Sequence, residues 1–269
     1  MTSYDDRERD KEKPRESERE KGKAASFWNA RAADFPRWSD RDNAYELGIL
    51  ETMRRLGADF SGRTVLDVGA GSGQYTLELA REAGRVTAVD LSEEMLRLSR
   101  LDAGRLGIDN VEWVLSDWDG FAAEGRFDVV FCMMCPAVRD DAAREKLFGL
   151  AREAVAFGGF ARYFPPPALE AVLGRRGLAP KGISAGPEML EFLDRTGRRY
   201  ARELKEGVWR IPYTREKYLR MLAAFLDDYG VVPEPGEAER EVDLLDPQGA
   251  GVFTAELPYA VQVIVCPAG

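Results

Sequence analysis

The sequence predicts an α/β fold built on a doubly wound parallel sheet. One stretch carries most of that prediction. Val65–Asp90 reads VLDVGAGSGQYTLELAREAGRVTAVD: an apolar strand broken by one acid, a glycine turn, a segment of helical rhythm, and a second apolar strand ending on an acid. Downstream, Ile108–Leu115 (IDNVEWVL) and Phe127–Phe131 read as further strands, separated by helical patterns, the alternation expected of a parallel sheet.

Each part of the first stretch has a physical job. Gly69, Gly71 and Gly73 allow unusual backbone angles and let a ligand approach the main chain. The turn opens onto a helix N-terminus, where free N–H groups and the helix dipole favour negative groups. Asp90 stands where it can accept hydrogen bonds from the two hydroxyls of a ribose. A nucleoside-containing cofactor is the expected occupant. The dinucleotide fingerprint G-x-G-x-x-G is incomplete, because Gln74 holds the place of its third glycine. The pattern is instead D-x-G-x-G-x-G, with Asp67 inside the first strand.

VLDVGAGSG, followed by VTAVD and LSEEML, resembles the class I S-adenosylmethionine-dependent methyltransferases. The resemblance covers roughly Phe27–Phe164 and the last strand. It implies a Rossmann-like, doubly wound seven-stranded sheet, mostly parallel with an antiparallel last strand, carrying an N-terminal helical lid and an insertion in the C-terminal half. It implies S-adenosylmethionine as cofactor and S-adenosylhomocysteine as product. The residues it places at the cofactor are Asp67, Gly69, Ala70, Gly71, Gly73, Asp90, Leu91, Met95, Asp117, Trp118 and Met133. Among these, Asp117 would receive the adenine amino group and Trp118 would wall the pocket.

Composition narrows the function. At 269 residues the chain can bury one substantial core, and its 45% apolar content is normal for a globular protein. A net charge of −9 points away from a nucleic-acid partner. No apolar run is long enough to span a membrane, and the charged N-terminus does not read as a signal peptide, so a cytoplasmic location is expected. Cys132, Cys135 and Cys266 are too few for a disulfide scaffold. There is no histidine, so any proton removal must use another group, and no histidine-based metal site can form; no metal is expected.

In chain order, residues 1–23 are a charged tail, with eight acids and eight bases between Asp5 and Lys23, expected to be disordered or a fraying helix. Residues 24–60 read as helical; the resemblance implies that they form a lid, which makes Trp28, Trp38 and Tyr45 candidate pocket aromatics, suited to a sulfonium cation. Residues 61–164 form the cofactor-binding core. Within it, Ser92 reads as the N-cap of the helix after Asp90, with Glu93 and Glu94 in its first turn. Asp140–Phe157 reads as a helix stopped by Gly158 and Gly159, leaving a short fifth strand, Phe160–Phe164. Residues 165–240 read as a substrate-side insertion with helices and one strand, and 241–269 as the closing strand. Arg195, Arg198, Arg199 and Arg202, at i, i+3, i+4 and i+7, would form a cationic stripe if helical.

The expected reaction is in-line methyl transfer to a small-molecule acceptor without a histidine base. Cys132, Cys135 and Tyr45 are the catalytic candidates, and Asp128 and Tyr163 are further polar candidates. The C-x-x-C spacing of Cys132 and Cys135 also admits metal, redox or metalloid roles, or simple packing against the cofactor. A non-catalytic cofactor-binding sensor and a nicotinamide-dependent oxidoreductase are the alternatives. The assembly is expected to be a monomer or homodimer.

Overall fold

The computed structural model describes residues 18–40, 43–181 and 184–269. Most of the charged stretch 1–23 lies outside the described residues; the remainder, from Glu18, is already helical. Helix α1 spans Glu18–Arg31, two single-turn 3₁₀ helices follow at Ala32–Asp34 and Trp38–Asp40, and α2 spans Ala44–Arg55.

A seven-stranded sheet occupies the centre: β1 (Thr64–Val68), β2 (Arg85–Asp90), β3 (Val111–Leu115), β4 (Phe127–Met133), β5 (Ala151–Arg162), β6 (Ala201–Thr214) and β7 (Val252–Pro267). The order is β3-β2-β1-β4-β5-β7-β6. The first five strands run parallel, and β7 lies antiparallel between β5 and β6. The chain winds outward from β1 to β3 and then restarts on the other side at β4. The crevice at the C-terminal ends of β1 and β4 is therefore the switch point where ligands of open α/β sheets bind.

Strand parity sorts the core into two layers. Leu66, Val68, Val130, Cys132, Val155 and Phe157 face α5 (Asp141–Leu150) and α7 (Ala185–Arg195). Val65, Val129, Phe131, Ala154 and Ala156 face α2 and the α3 helix (Gln74–Ala80). Burying each large apolar side chain contributes about 1.5–3 kcal/mol, which is why these strands read as unbroken apolar runs. Helix α4 (Glu93–Leu106) starts where expected: Ser92 Oγ accepts the N–H of Met95, and Gly107 closes the other end with φ 66°.

Two expectations fail. The helix before the fifth strand ends at Leu150, and Ala151–Arg162 is one twelve-residue strand. Gly158 and Gly159 are not a helix stop. They sit within β5 because neighbours press on them: a Cβ at Gly158 would fall 2.0 Å from Met133 Sδ, and one at Gly159 would fall 2.9 Å from the Gly186 nitrogen. The arginine stripe also does not form. Helix α7 ends at Arg195, the chain turns at Gly197 with φ 67°, and Arg202 lies in β6. Arg195 pairs with Asp141 at 2.8 Å and Arg198 with Glu145 at 2.7 Å, so these cations tie α7 to α5.

β6 and β7 run past the end of β5. Residues 252–259 of β7 pair with β6 alone. This outer ribbon carries a third core with α6 (Pro167–Gly174), α8 (Arg215–Asp228) and α9 (Glu237–Asp243), centred on Leu169, Tyr218, Leu222 and Phe253. The lobe leans toward α1 through a two-point ion pair from Arg220 on α8 to Asp34, at 3.1 Å on each oxygen.

Candidate functional site

The glycine turn is stapled to the end of β2. The N–H groups of Gly69 and Ala70 both donate to the carbonyl of Val89, at 2.9 and 3.0 Å. Gly69, Gly71 and Gly73 adopt φ of 75°, 54° and 88°, which side chains rarely tolerate. Their surroundings differ. A Cβ at Gly69 would meet Cys135 Sγ at 2.6 Å, and one at Gly73 would meet Ser99 Oγ at 1.8 Å. A Cβ at Gly71 would meet only a Phe35 ring carbon at 4.0 Å. The outer glycines let protein close on the turn, while the middle one faces the open side, where a ligand can reach the backbone.

Asp90 stands beside that opening. Its Oδ2 accepts from Gly71 N–H and its Oδ1 from Ser92 N–H, both at 2.8 Å. A carboxylate offers about four lone-pair sites, so it retains capacity for a pair of ribose hydroxyls. Burial raises its pKa, opposed by the Ser92 and Gly71 N–H bonds that favour the charged form. Asp67, deeper in β1, is almost fully buried and accepts from Thr76 Oγ1 at 2.6 Å. Burial, with the nearby Asp90 charge adding to it, pushes its pKa up to about 7. It braces β1 against α3.

The N-terminal helices close over this turn. Asn29 Oδ1 accepts from Ser92 Oγ at 2.7 Å and from Glu94 N–H at 3.2 Å. Ala32, Trp28 and Phe35 pack around Met95 and Leu98. Ser72 Oγ donates to the Pro36 carbonyl at 2.6 Å, and Gln74 Nε2 donates to the buried Glu46 at 3.2 Å. Arg37 forms a two-point pair with the buried Asp102 on α4. The turn, the acid at the tip of β2 and the overlying helices thus make one cradle.

The same residues carry the sequence match to known proteins. Residues 65–159 match a family model described as a methyltransferase domain. This segment is similar to methyltransferase domains. Curated relatives match over the same part of the chain. The ubiquinone biosynthesis O-methyltransferase of Escherichia coli is 40% identical over 112 residues, covering 41% of this chain and 44% of that protein. The protein of the same name from Xanthomonas euvesicatoria is 36% identical over 111 residues, covering 38% and 45%. The chain thus spans under half the length of these relatives. Among solved structures, magnesium protoporphyrin IX methyltransferase of Synechocystis, crystallised with S-adenosylhomocysteine, superposes with a TM-score of 0.55 at 14% identity, covering 91% of this chain and 98% of that one. The YcgJ protein of Bacillus subtilis gives 0.53 at 15%, covering 83% and 97%. These two share the fold.

Around the cradle, the other sequence candidates fall in several places. Leu91 is half-buried beside Asp90, and Met133 is buried with its sulfur against Gly158. Asp117 is partly exposed, holding Gly120 N–H at 2.8 Å and Lys21 of α1 at 3.3 Å. Trp118 lies in the core under α5, stacked on Phe121 and donating to the Ala143 carbonyl. In the loop after β4, Met134 takes φ 51° and its N–H reaches the Gly158 carbonyl at 2.7 Å. Cys132 is fully buried and Cys135 half-buried. The hydrogen bond between the two thiols, reinforced by burial, holds Cys132 well above the ordinary thiol pKa, so it stays a thiol.

The remaining candidates lie elsewhere. Tyr45 stacks edge-on with Trp209 and Tyr259, joining α2 to the β6–β7 ribbon. Trp38 lies on the outer side of α3, donating to Glu78 at 2.5 Å. Asp128 sits at the far, N-terminal edge of the sheet, bonded to Thr64 N–H and Oγ1 at 2.8 Å each. Burial pushes the Tyr163 phenol up to about 12, unsuited to proton removal near neutral pH. Sequence reasoning missed Asn29, Ser72, Thr76, Ser99 and Glu46. Their roles come from contacts with other elements of the fold, and no local spacing announces them.

Proposed function

We propose that this protein transfers a methyl group from S-adenosylmethionine to a small-molecule acceptor. One observation carries the reading: the Asp90 carboxylate grips Gly71 N–H at the one glycine of the turn that faces open space. A nucleoside fits this arrangement. Asp90 would hold the ribose hydroxyls, Gly69–Gly73 the amino-acid part, and Leu91 and Met95 the adenosine flank. The bound cofactor supplies a methyl on positively charged sulfur, an intrinsically reactive donor. The chain's own contribution is enclosure and alignment. The α1–α2 helices pack over the glycine turn, and the β4 loop lies against Gly69. Holding nucleophile and methyl in line can lower the barrier by roughly 7–11 kcal/mol.

The oxygen chemistry named for the curated relatives favours a hydroxyl acceptor. As the new C–O bond forms, the C–S bond breaks with its electron pair staying on sulfur, and the hydroxyl proton is released. With no histidine in the chain, an acidic hydroxyl such as a phenol needs the least assistance.

The test is calorimetric titration with S-adenosylmethionine, S-adenosylhomocysteine and NAD, with Asp90→Ala as control. Micromolar binding of the first two, lost in the variant, supports the reading. Binding of NAD alone replaces it with a dehydrogenase. Binding without methylated product, in extract supplied with the labelled cofactor, replaces it with a sensor.

A further inference from the structure

Two thiols meet at the first glycine of the turn. Cys132, near the end of β4, pairs in register with Val68, the residue before Gly69. Three residues on, Cys135 folds back onto the same place: a Cβ at Gly69 would fall 2.6 Å from its Sγ. The two thiols share a hydrogen bond, and both side chains pack in the apolar cluster that holds Val68. Cys132 is 0% exposed and keeps its proton. Cys135 is half-buried and the next residue, Pro136, is exposed, so a small solute reaches the pair from the Cys135 side. The third thiol is committed elsewhere, with Cys266 Sγ donating to the Arg199 carbonyl at 3.0 Å.

The segment that joins the two thiols is held on both sides. Met133 Sδ presses on β5, where a Cβ at Gly158 would fall 2.0 Å from it, and the Met134 N–H donates to the Gly158 carbonyl at 2.7 Å. Met134 sits at φ 51°, a conformation that residues with side chains rarely take. On the opposite side, Cys135 Sγ lies against Gly69, whose own N–H holds the Val89 carbonyl at 2.9 Å. A segment wedged between β5 and the glycine turn passes the movement of one sulfur directly to Gly69.

We propose that Cys132 and Cys135 are an oxidation-sensitive pair: peroxide converts them to a disulfide that draws Cys135 Sγ off Gly69 and weakens ligand binding at the glycine turn, and a thiol reductant restores it. Peroxide is the only oxidant the chemistry needs. The deprotonated Cys135 sulfur attacks one peroxide oxygen and the O–O bond breaks, leaving a sulfenic acid and a hydroxide that takes up the thiol's proton as water. The Cys132 sulfur then attacks the Cys135 sulfur. The S–S bond forms, the S–O bond breaks, and the Cys132 proton leaves with the departing hydroxide as a second water. The two thiols lose two electrons in all, and one peroxide gains them. The first step falls on Cys135 because it is the reachable thiol. The second needs little movement, since the thiols are already in hydrogen-bond contact. The methyl-transfer reading supplies only the ligand used to read the effect.

The experiment uses the full chain, either reduced or treated with hydrogen peroxide. Peptide mapping by mass spectrometry identifies the bond, hydrogen exchange follows residues 68–73 and 132–138, and calorimetry measures S-adenosylhomocysteine binding. The expected result is a Cys132–Cys135 disulfide that dithiothreitol reverses, faster exchange at the glycine turn, and affinity about five- to tenfold lower in the oxidised form. Cys135→Ala and, separately, Cys132→Ala should each bind equally with and without peroxide, whereas Cys266→Ser should keep the wild-type response. Oxidation that ends in a sulfinic acid at Cys135, or in a disulfide between two chains, overturns the proposal. So does a Cys132–Cys135 disulfide that leaves affinity or exchange at the turn unchanged, or a peroxide effect that survives Cys135→Ala. Failure of the reduced wild-type protein to bind S-adenosylhomocysteine instead sinks the methyl-transfer reading, and mapping with hydrogen exchange still decides the thiol pair.

Discussion

Ser92 and Asn29 join helix α1 to the N-terminus of α4 through one hydroxyl. Ser92 Oγ accepts the Met95 N–H as a helix cap and donates to Asn29 Oδ1 at 2.7 Å. Asn29 Oδ1 also takes the Glu94 N–H. The residue two positions after Asp90 therefore reports directly on whether α1 is docked.

Asn29→Ala leaves that hydroxyl and the Glu94 N–H without their acceptor, a cost of about 1–3 kcal/mol. Helix α1 should come away from α4 more often. Trypsin should cut faster near Arg37, between α1 and α2, and S-adenosylhomocysteine should bind about five- to tenfold more weakly. An unchanged cleavage rate would show that α1 is held mainly by its apolar contacts.

Gly69→Ala and Gly71→Ala should separate folding from binding. Both place a side chain at positive φ, at about 1–2 kcal/mol. Gly69→Ala adds the clash with Cys135 and should lower Tm by clearly more. Gly71→Ala should melt close to wild type yet lose cofactor binding. Equal Tm losses with equal binding losses would contradict this division of the turn.

Asp67 should make stability fall as pH rises. Its folded pKa, about 7, lies above the ordinary 3.8, so across that window the unfolded chain has released a proton that the folded chain keeps. The slope from this group is about −1.4 kcal/mol per pH unit, with a ceiling of about 4 kcal/mol. The raised pKa of Asp90 acts in the same direction. Asp67→Asn retains a partner for Thr76 and removes the titration. Urea melts from pH 4 to 8 should show the variant gaining on wild type as pH rises; parallel curves would refute the assignment.

The three thiols should differ in reactivity. Iodoacetamide should modify Cys135 in the folded protein and spare Cys132 and Cys266, which are 0% and 1% exposed. Because Cys135 Sγ packs against Gly69, S-adenosylhomocysteine should slow its alkylation. Mass spectrometry showing Cys132 modified first would mean that the β4 loop opens.

Much of the cradle was readable from local order. The apolar run before Gly69, the acid closing RVTAV and the Ser92 cap are short-range patterns, each with a local physical cause. The misreadings share a reason too. AREAVAFGG reads as helix and stop because its glycines look like punctuation; they are clearance for Met133 and Gly186, residues distant in sequence. The arginines at 195–202 look periodic, yet Gly197 breaks the helix between them and two of them answer acids on α5.

The sequence alone determined the strand–turn–helix–strand unit and the absence of a histidine base, because propensity, capping and backbone freedom act within a few residues. Only the tertiary structure decided which glycine faces open space, that Asp67 is a brace, and that Cys132 is sealed in. Those outcomes depend on which surfaces meet, and burial and hydrogen-bond satisfaction are properties of the packed chain rather than of any segment in it.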